Sequence, residues 1–342
     1  MSAAIPFGRL RVGPAERVVV VAEIGVNHEG DVAACARMID AAGAAGADAV
    51  KLQTMDADEC YVSGTESHAL FSGCALSRDE TAQMFALARR RGMECFTTVG
   101  DFASLEWVEG LAPAAHKISS GLLTHLPLVR RAAATGRTLV MSTGMAETAE
   151  IDEAVAAARE AGASAIGLLQ CTSLYPTPPH ALNLANVGWL ARRYGVPVGF
   201  SDHSEGSEAA MLAVAAGAAM IEKHFTLDRG RPGYDHGISL EPSDFAAMVA
   251  AVRRAETMRG RAGSPPTDAE REAARRNYRC LVARRPIVAG GVFTAENLAL
   301  KRPLPDRRGL APKHYDAVLG KRSKHDLATD DPVMPDAVEG LS

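Results

Sequence analysis

Short β-branched runs alternate with alanine-rich helical stretches over most of this chain, and that alternation limits its fold more than any other feature. Strand candidates fall at 18–24, 49–53, 94–98, 115–118, 138–142, 165–171, 198–201 and 220–225. Helical patterns follow at 32–45, 78–91, 104–111, 126–134, 148–161, 182–194, 207–216 and 243–259. Repeated strand–helix units demand a parallel sheet covered by helices, and this number of them favours a closed (β/α)8 barrel over an open doubly wound sheet. Glycines such as Gly46, Gly162 and Gly195 close helices just before the next strand. The opening GRLRVG, paired with ERVVVVAEI, is expected to form a hairpin that plugs the bottom of the barrel.

The stretch 261–276, RAGSPPTDAEREAARR, breaks the pattern with proline, glycine and charge and reads as a linker. We therefore expect a TIM barrel over 1–262, a linker over 263–278 and a small, mainly β, domain over 279–342. That last part carries a weak repeat: Ile287, Phe293 and Leu298 recur in the same spacing as Leu327, Val333 and Val338.

With 47% hydrophobic residues and a net charge of -4, the 342-residue chain has no basic stripe suited to nucleic acid. No apolar run reaches the roughly 18 residues of a membrane span, and the opening residues lack a signal peptide's apolar core. A cytoplasmic protein is expected. The cysteines, Cys35, Cys60, Cys74, Cys95, Cys171 and Cys280, form no C-x-x-C pair and read as reduced, mostly buried thiols.

Active sites of such barrels gather at the C-terminal strand ends. There the chain places Glu23, Lys51, Gln53, Thr97, Thr98, Lys117, Ser119, Ser120, Ser142, Ser173, Tyr175, Ser201, His203 and His224. Lysines with many hydroxyls suit a small, multiply anionic ligand. His203 and His224 end the last strands side by side and suggest a divalent metal. The flanking Asp202 and Glu222 would orient the imidazoles or complete an N/O shell fit for Mn²⁺ or Mg²⁺ rather than structural zinc. Met211, Met220, Trp107 and Trp189 read as packing residues, and Arg253, Arg254, Arg259 and Arg261 as a solvated helix face.

The strings AEIGVNHEGD, KLQT, HKISSG, STGM, CTSLYPTPP, GFSDHS, EKHFTLDRGRPGYDH-x-x-SLEP and VARRPIVAGGVFTAENLALKRP span almost the whole chain. In them the sequence resembles the sialic acid synthase family, which condenses phosphoenolpyruvate (PEP) with an N-acylated amino sugar. The resemblance implies a barrel joined to an antifreeze-like (SAF) domain, in a homodimer whose small domain reaches over the partner's barrel mouth. It puts PEP on Lys51, Thr98, Lys117, Ser120, Ser142, Ser173 and Ser201, makes His203 and His224 the metal ligands, and places Glu23, Gln53, Tyr175 and Asp235 near the acceptor or reacting carbons. Arg302 matches the arginine by which the small domain touches the sugar's N-acyl group. The donor half matches closely. The acceptor half departs: Thr98-Val99-Gly100 replaces the family's Thr-Pro-Phe, and 54–77 lacks a recognisable counterpart of its acceptor asparagine. Two enzyme alternatives are a PEP-dependent 3-deoxy sugar acid synthase acting on a phosphorylated or unusual aldose and a Schiff-base aldolase using Lys51 or Lys117; a third is a barrel without activity whose small domain serves as a binding module.

Overall fold

A computed structural model describes residues 3–304 and 306–341. The chain opens with a hairpin of β1 (Ile5–Phe7) and β2 (Leu10–Val12). Eight strands follow: β3 (Val19–Gly25), β4 (Ala49–Thr54), β5 (Glu94–Val99), β6 (His116–Ile118), β7 (Leu139–Ser142), β8 (Ile166–Cys171), β9 (Val198–Asp202) and β10 (Met220–His224). Every neighbouring pair is parallel, and β10 returns to β3 to close the barrel.

Helices follow its strands, and most of them cover its outer surface. They are α1 (Val32–Ala44), α2 (Ala57–Cys60), α3 (Glu66–Cys74), α4 (Arg78–Arg90), α5 (Phe102–Glu109), α6 (Leu126–Ala133), α7 (Thr148–Glu160), α8 (Ala185–Tyr194), α9 (Glu208–Ala215) and α10 (Pro242–Arg259). Their starts follow local chemistry: Asp31, Ser77 and Asp101 side chains accept from the first-turn amides of α1, α4 and α5.

Alternation along each strand divides the core in two. In β3, Val20, Ala22 and Ile24 face outward into the helix layer, which holds the larger apolar cluster. Val19 and Val21 face inward and pack with Phe96, Val140, Leu169 and Met220 in the lower barrel. Ile5, Phe7 and Val12 of the hairpin join this inner cluster, and Phe7 meets the Phe96 ring edge-on at 5.1 Å. The plug exists, then, but its second arm is β2; residues 18–24 supply the first barrel strand, because their continuous apolar run belongs between two covered faces.

Other sequence expectations also need correction. Met211 is exposed on α9, whereas Met220 is buried. Arg253 is half-buried rather than freely solvated: it donates to Asp48 at 2.6 Å, to Glu256 at 2.8 Å and to the Val18 carbonyl at 2.7 Å, tying α10 to the barrel. Arg254 and Arg261 are exposed as expected.

Two compact units divide the chain between Gly260 and Arg261. Within the stretch read as linker, α11 (Asp268–Asn277) forms, started by a capping box between Thr267 and Glu270. Beyond it, β11 (Cys280–Ala283) pairs antiparallel with β12 (Leu298–Lys301), and α12 (Tyr315–Val318) adds one turn. The repeated residues Ile287, Phe293, Leu298, Leu327, Val333 and Val338 are all buried in this unit's core. Ile287 and Leu327, the first of each set, exchange backbone hydrogen bonds at 2.9 and 2.8 Å.

Candidate active site

At the C-terminal ends of the barrel strands lies a cavity of about 560 Å³. Its wall includes Glu23, Lys51, Gln53, Thr98, Lys117, Ser120, Ser142, Ser173, Tyr175, Ser201, His203, His224 and Asp235. Strand register accounts for this gathering. Glu23 stands beside Lys51 and His224, Thr98 beside both Gln53 and Lys117, and Ser201 beside Glu222. Arg302 belongs to the C-terminal unit, where it is exposed just after β12.

Alternating charges run across the cavity floor. Lys51 Nζ lies 2.8 Å from Glu23 Oε2 and 4.0 Å from Glu222 Oε2, and Lys117 Nζ lies 3.5 Å from Glu222 Oε1. Ser201 donates to Glu222 Oε1 at 2.8 Å, Lys51 to Thr98 Oγ1 at 3.1 Å and Gln53 to Glu23 Oε1 at 3.2 Å. All four charged groups are buried. Burial pushes Glu23 up to about 7 against the pull of Lys51. Burial also lowers Lys117, whereas at Lys51 it is outweighed by Glu222 and Glu23, which raise its pKa. Glu222 is held below the usual carboxylate range because Lys117, Lys51 and the Ser201 hydroxyl overcome burial. Such a site carries little net charge when empty, and its lysines and hydroxyls can turn to an incoming anion. Ser142 Oγ and Glu222 Oε2 are buried without hydrogen-bond partners among the described residues.

Beside this floor stand the imidazoles. The His203 and His224 rings lie 5.2 Å apart. His203 Nδ1 is 2.9 Å from the Thr172 carbonyl, so this nitrogen carries the proton and Nε2 the lone pair. The Tyr175 hydroxyl donates to that Nε2 at 3.1 Å, and its ring stacks on the imidazole at 4.1 Å. His224 Nδ1 has no hydrogen bond among the described residues and sits 3.5 Å from Asp235 Oδ2. Burial, with the nearby Lys51 and Lys117 cations, holds His224 well below the ordinary histidine range, keeping it neutral.

The flanking acids do not serve the imidazoles as expected. Inward residues on β10 alternate as Glu222 and His224, which leaves Lys223 facing out. It meets outward-facing Asp202 of β9 at 3.0 Å, in a pair fully shielded from solvent, and Ser204 donates to Asp202 Oδ1 from its amide and hydroxyl. Glu222 belongs to the lysines instead. Among the described residues, no three His, Cys, Asp or Glu side chains gather as a metal cage. The lone pair of His203 and the unpartnered nitrogen of His224 would give a divalent ion two ligands only.

Gly144 closes the donor wall. A Cβ there would lie 2.5 Å from Ser173 Oγ and 2.7 Å from Ser120 Oγ, so only glycine lets these hydroxyls converge. Residues absent from the sequence-based set also line the cavity: Met55, Tyr61, Ser67 and Phe71 from the segment after β4, and Met145 and Cys171. Cys171 follows the inward period of β8 and was open to discovery; the positions of Tyr61 and Phe71 depend on how α2 and α3 fold.

Comparison with known proteins places this architecture. The NeuB family model matches residues 38–264, and the SAF domain model residues 278–339. This chain belongs to the NeuB family. The N,N'-diacetyllegionaminic acid synthase of Legionella pneumophila subsp. pneumophila is 32% identical to it over 338 residues, covering 94% of this chain and 94% of that protein. The pseudaminic acid synthase of Campylobacter jejuni strain 81-176 is 32% identical over 332 residues, covering 92% and 95%. Among solved structures, the sialic acid synthetase of Leptospira borgpetersenii serovar Hardjo-bovis, in complex with citrate, matches with a TM-score of 0.77 at 33% identity, over 80% of this chain and 95% of that one. As a NeuB-family protein with a barrel and a SAF domain, the chain is an enzyme whose named relatives are nonulosonic acid synthases.

Proposed function

We propose that this enzyme condenses phosphoenolpyruvate with the open-chain aldehyde of an N-acyl amino sugar, giving a nonulosonic acid and phosphate. The observation that carries the reading is the pairing, in one cavity, of a buried Lys51–Lys117 anion site with a buried carboxyl, Glu23, poised near neutrality. Lys51, Lys117 and the hydroxyls of Thr98, Ser120, Ser142, Ser173 and Ser201 hold the carboxylate and phosphate of the donor and fix its orientation. The enol carbon forms the new C–C bond to the aldehyde carbon, and the aldehyde oxygen takes up a proton. Water adds to the resulting cationic C2, its proton passing to Glu23, whose carboxylate also faces the positive charge. The new C2 hydroxyl then gives up its proton as the bond from C2 to the phosphate oxygen breaks, which forms the keto group and releases phosphate. Of the two protons of the water, one balances that taken up by the aldehyde oxygen and the other leaves with phosphate.

His203 and His224 would hold a divalent ion, Mn²⁺ or Mg²⁺, with water or substrate oxygens completing its shell; such an ion supplies Lewis acidity toward a carbonyl oxygen. Gln53, Tyr175 and Asp235 contact the acceptor. Arg302 is proposed to reach the acyl group in a homodimer that places this domain over the partner's barrel mouth. Phosphate release from PEP in the presence of N-acyl hexosamines tests the reading, with EDTA expected to stop it. Borohydride trapping of pyruvate on Lys51 or Lys117 would overturn it in favour of a Schiff-base enzyme.

A further inference from the structure

One wall of the cavity differs in chemistry from the rest. The segment between β4 and α4 descends over the mouth through α2 and α3 and brings Met55, Tyr61 and Phe71 to the lining. The Tyr61 and Phe71 rings stack at 5.0 Å with planes only 14° apart. Tyr61 has a thioether as its hydroxyl partner, Met55 Sδ at 3.6 Å, which is a weak acceptor. Burial raises this hydroxyl to about 12, so it stays a neutral donor on a residue that lines the cavity, with only that weak acceptor as its partner among the described residues.

Gly100, at the end of β5, sets the height of this wall. A Cβ there would lie 2.6 Å from Met55 Cβ and 2.7 Å from Cys60 Sγ, closer than such atoms approach. Any side chain at position 100 therefore lifts the segment that carries both rings. The missing side chain on β5 and the aromatic wall are one feature: the segment fills the space above Gly100 and presents its rings to the cavity.

We infer that the Tyr61–Phe71 pair is a specificity element for the acceptor, packing an apolar substituent of the sugar, its acyl methyl group, against the rings while the Tyr61 hydroxyl bonds the amide oxygen. This rests on the proposed condensation, and the test separates the two. Calorimetry first measures PEP binding to the full-length enzyme, then binding of N-acetylmannosamine and of mannose to the PEP-loaded enzyme, which needs no turnover. A protein that does not bind PEP refutes the proposed function, and the acceptor role with it. If PEP binds, we expect the N-acetyl sugar to be preferred at least tenfold over mannose. Phe71→Ala and Gly100→Ala should each reduce that preference severalfold with PEP affinity unchanged, and Phe71→Leu, which keeps apolar bulk, should retain part of it. No preference in the parent enzyme, or a full preference in both Phe71→Ala and Gly100→Ala, overturns the inference.

Discussion

Replacing Glu222 with glutamine separates the carboxylate's structural role from the donor site around it. The glutamine keeps the shape and a partner for Ser201, which now donates to Glu222 at 2.8 Å. It removes the negative charge that faces Lys117 at 3.5 Å and Lys51 at 4.0 Å. Lys51 retains Glu23 at 2.8 Å, whereas Lys117 has no other ion-pair partner among the described residues. Removing one partner of a buried pair costs about 3–5 kcal/mol because the survivor is left uncompensated. Lys117 can shed its proton, which its burial already favours, so the lower figure applies. A loss of about 3 kcal/mol lowers the melting temperature of a domain this size by roughly 6–12 °C. Phosphoenolpyruvate brings back negative charge to the same lysines. Saturating PEP should therefore raise the melting temperature of Glu222→Gln by more degrees than it raises the parent's. Scanning calorimetry with and without PEP reads both effects. A variant as stable as the parent without PEP, or equal PEP gains in the two proteins, would refute the balance of charge described for the cavity floor.

Lys223→Met should destabilise the barrel by about 3 kcal/mol, because it strands the buried Asp202 carboxylate. Adding Asp202→Asn should recover at least half of that loss in urea denaturation; no recovery would mean that packing, not charge, is at stake. His28 provides the pH test. Buried, it accepts from the Gly30 amide at 3.1 Å, and burial lowers it to about 4 from an ordinary 6.5. Between those values the unfolded chain binds the proton and the folded one does not, so stability must fall as pH falls through this window. The slope is at most about 1.4 kcal/mol per pH unit, or roughly 2 kcal/mol between pH 6.5 and 5. His28→Asn, which keeps an acceptor, should flatten that part of the pH profile of the denaturation midpoint.

What was legible in the sequence follows from period two. Strand ends in a closed barrel point alternate residues inward, so Lys51, Gln53, Thr98, Lys117, Ser201 and His203 were identifiable from position alone, and register brings them together. The same alternation, applied one residue over, assigns Asp202 and Lys223 to the helix layer; treating Asp202 as a companion of His203 ignored it. Arg253 was misread because a charged helix face and a salt-bridged one look alike until the partner, Asp48, more than two hundred residues away, is in place. Helix α11 carried its own signal, the Thr267–Glu270 capping box, outweighed by the Gly-Ser-Pro-Pro before it. Tyr61 and Phe71 had no periodic signal, since irregular segments take their shape from what lies beneath them, here a bare Gly100.

Closure of the ring by the first and last barrel strands also fixes a schedule. Phe7 and Val12 need Met220 and its neighbours before their inner cluster is complete. Roughly 200 residues separate them, about 10–40 s of synthesis at ordinary ribosomal rates. For that interval the apolar hairpin has no complete barrel to close, so its inner face stays uncovered, open to association with other chains, until β10 has left the ribosome.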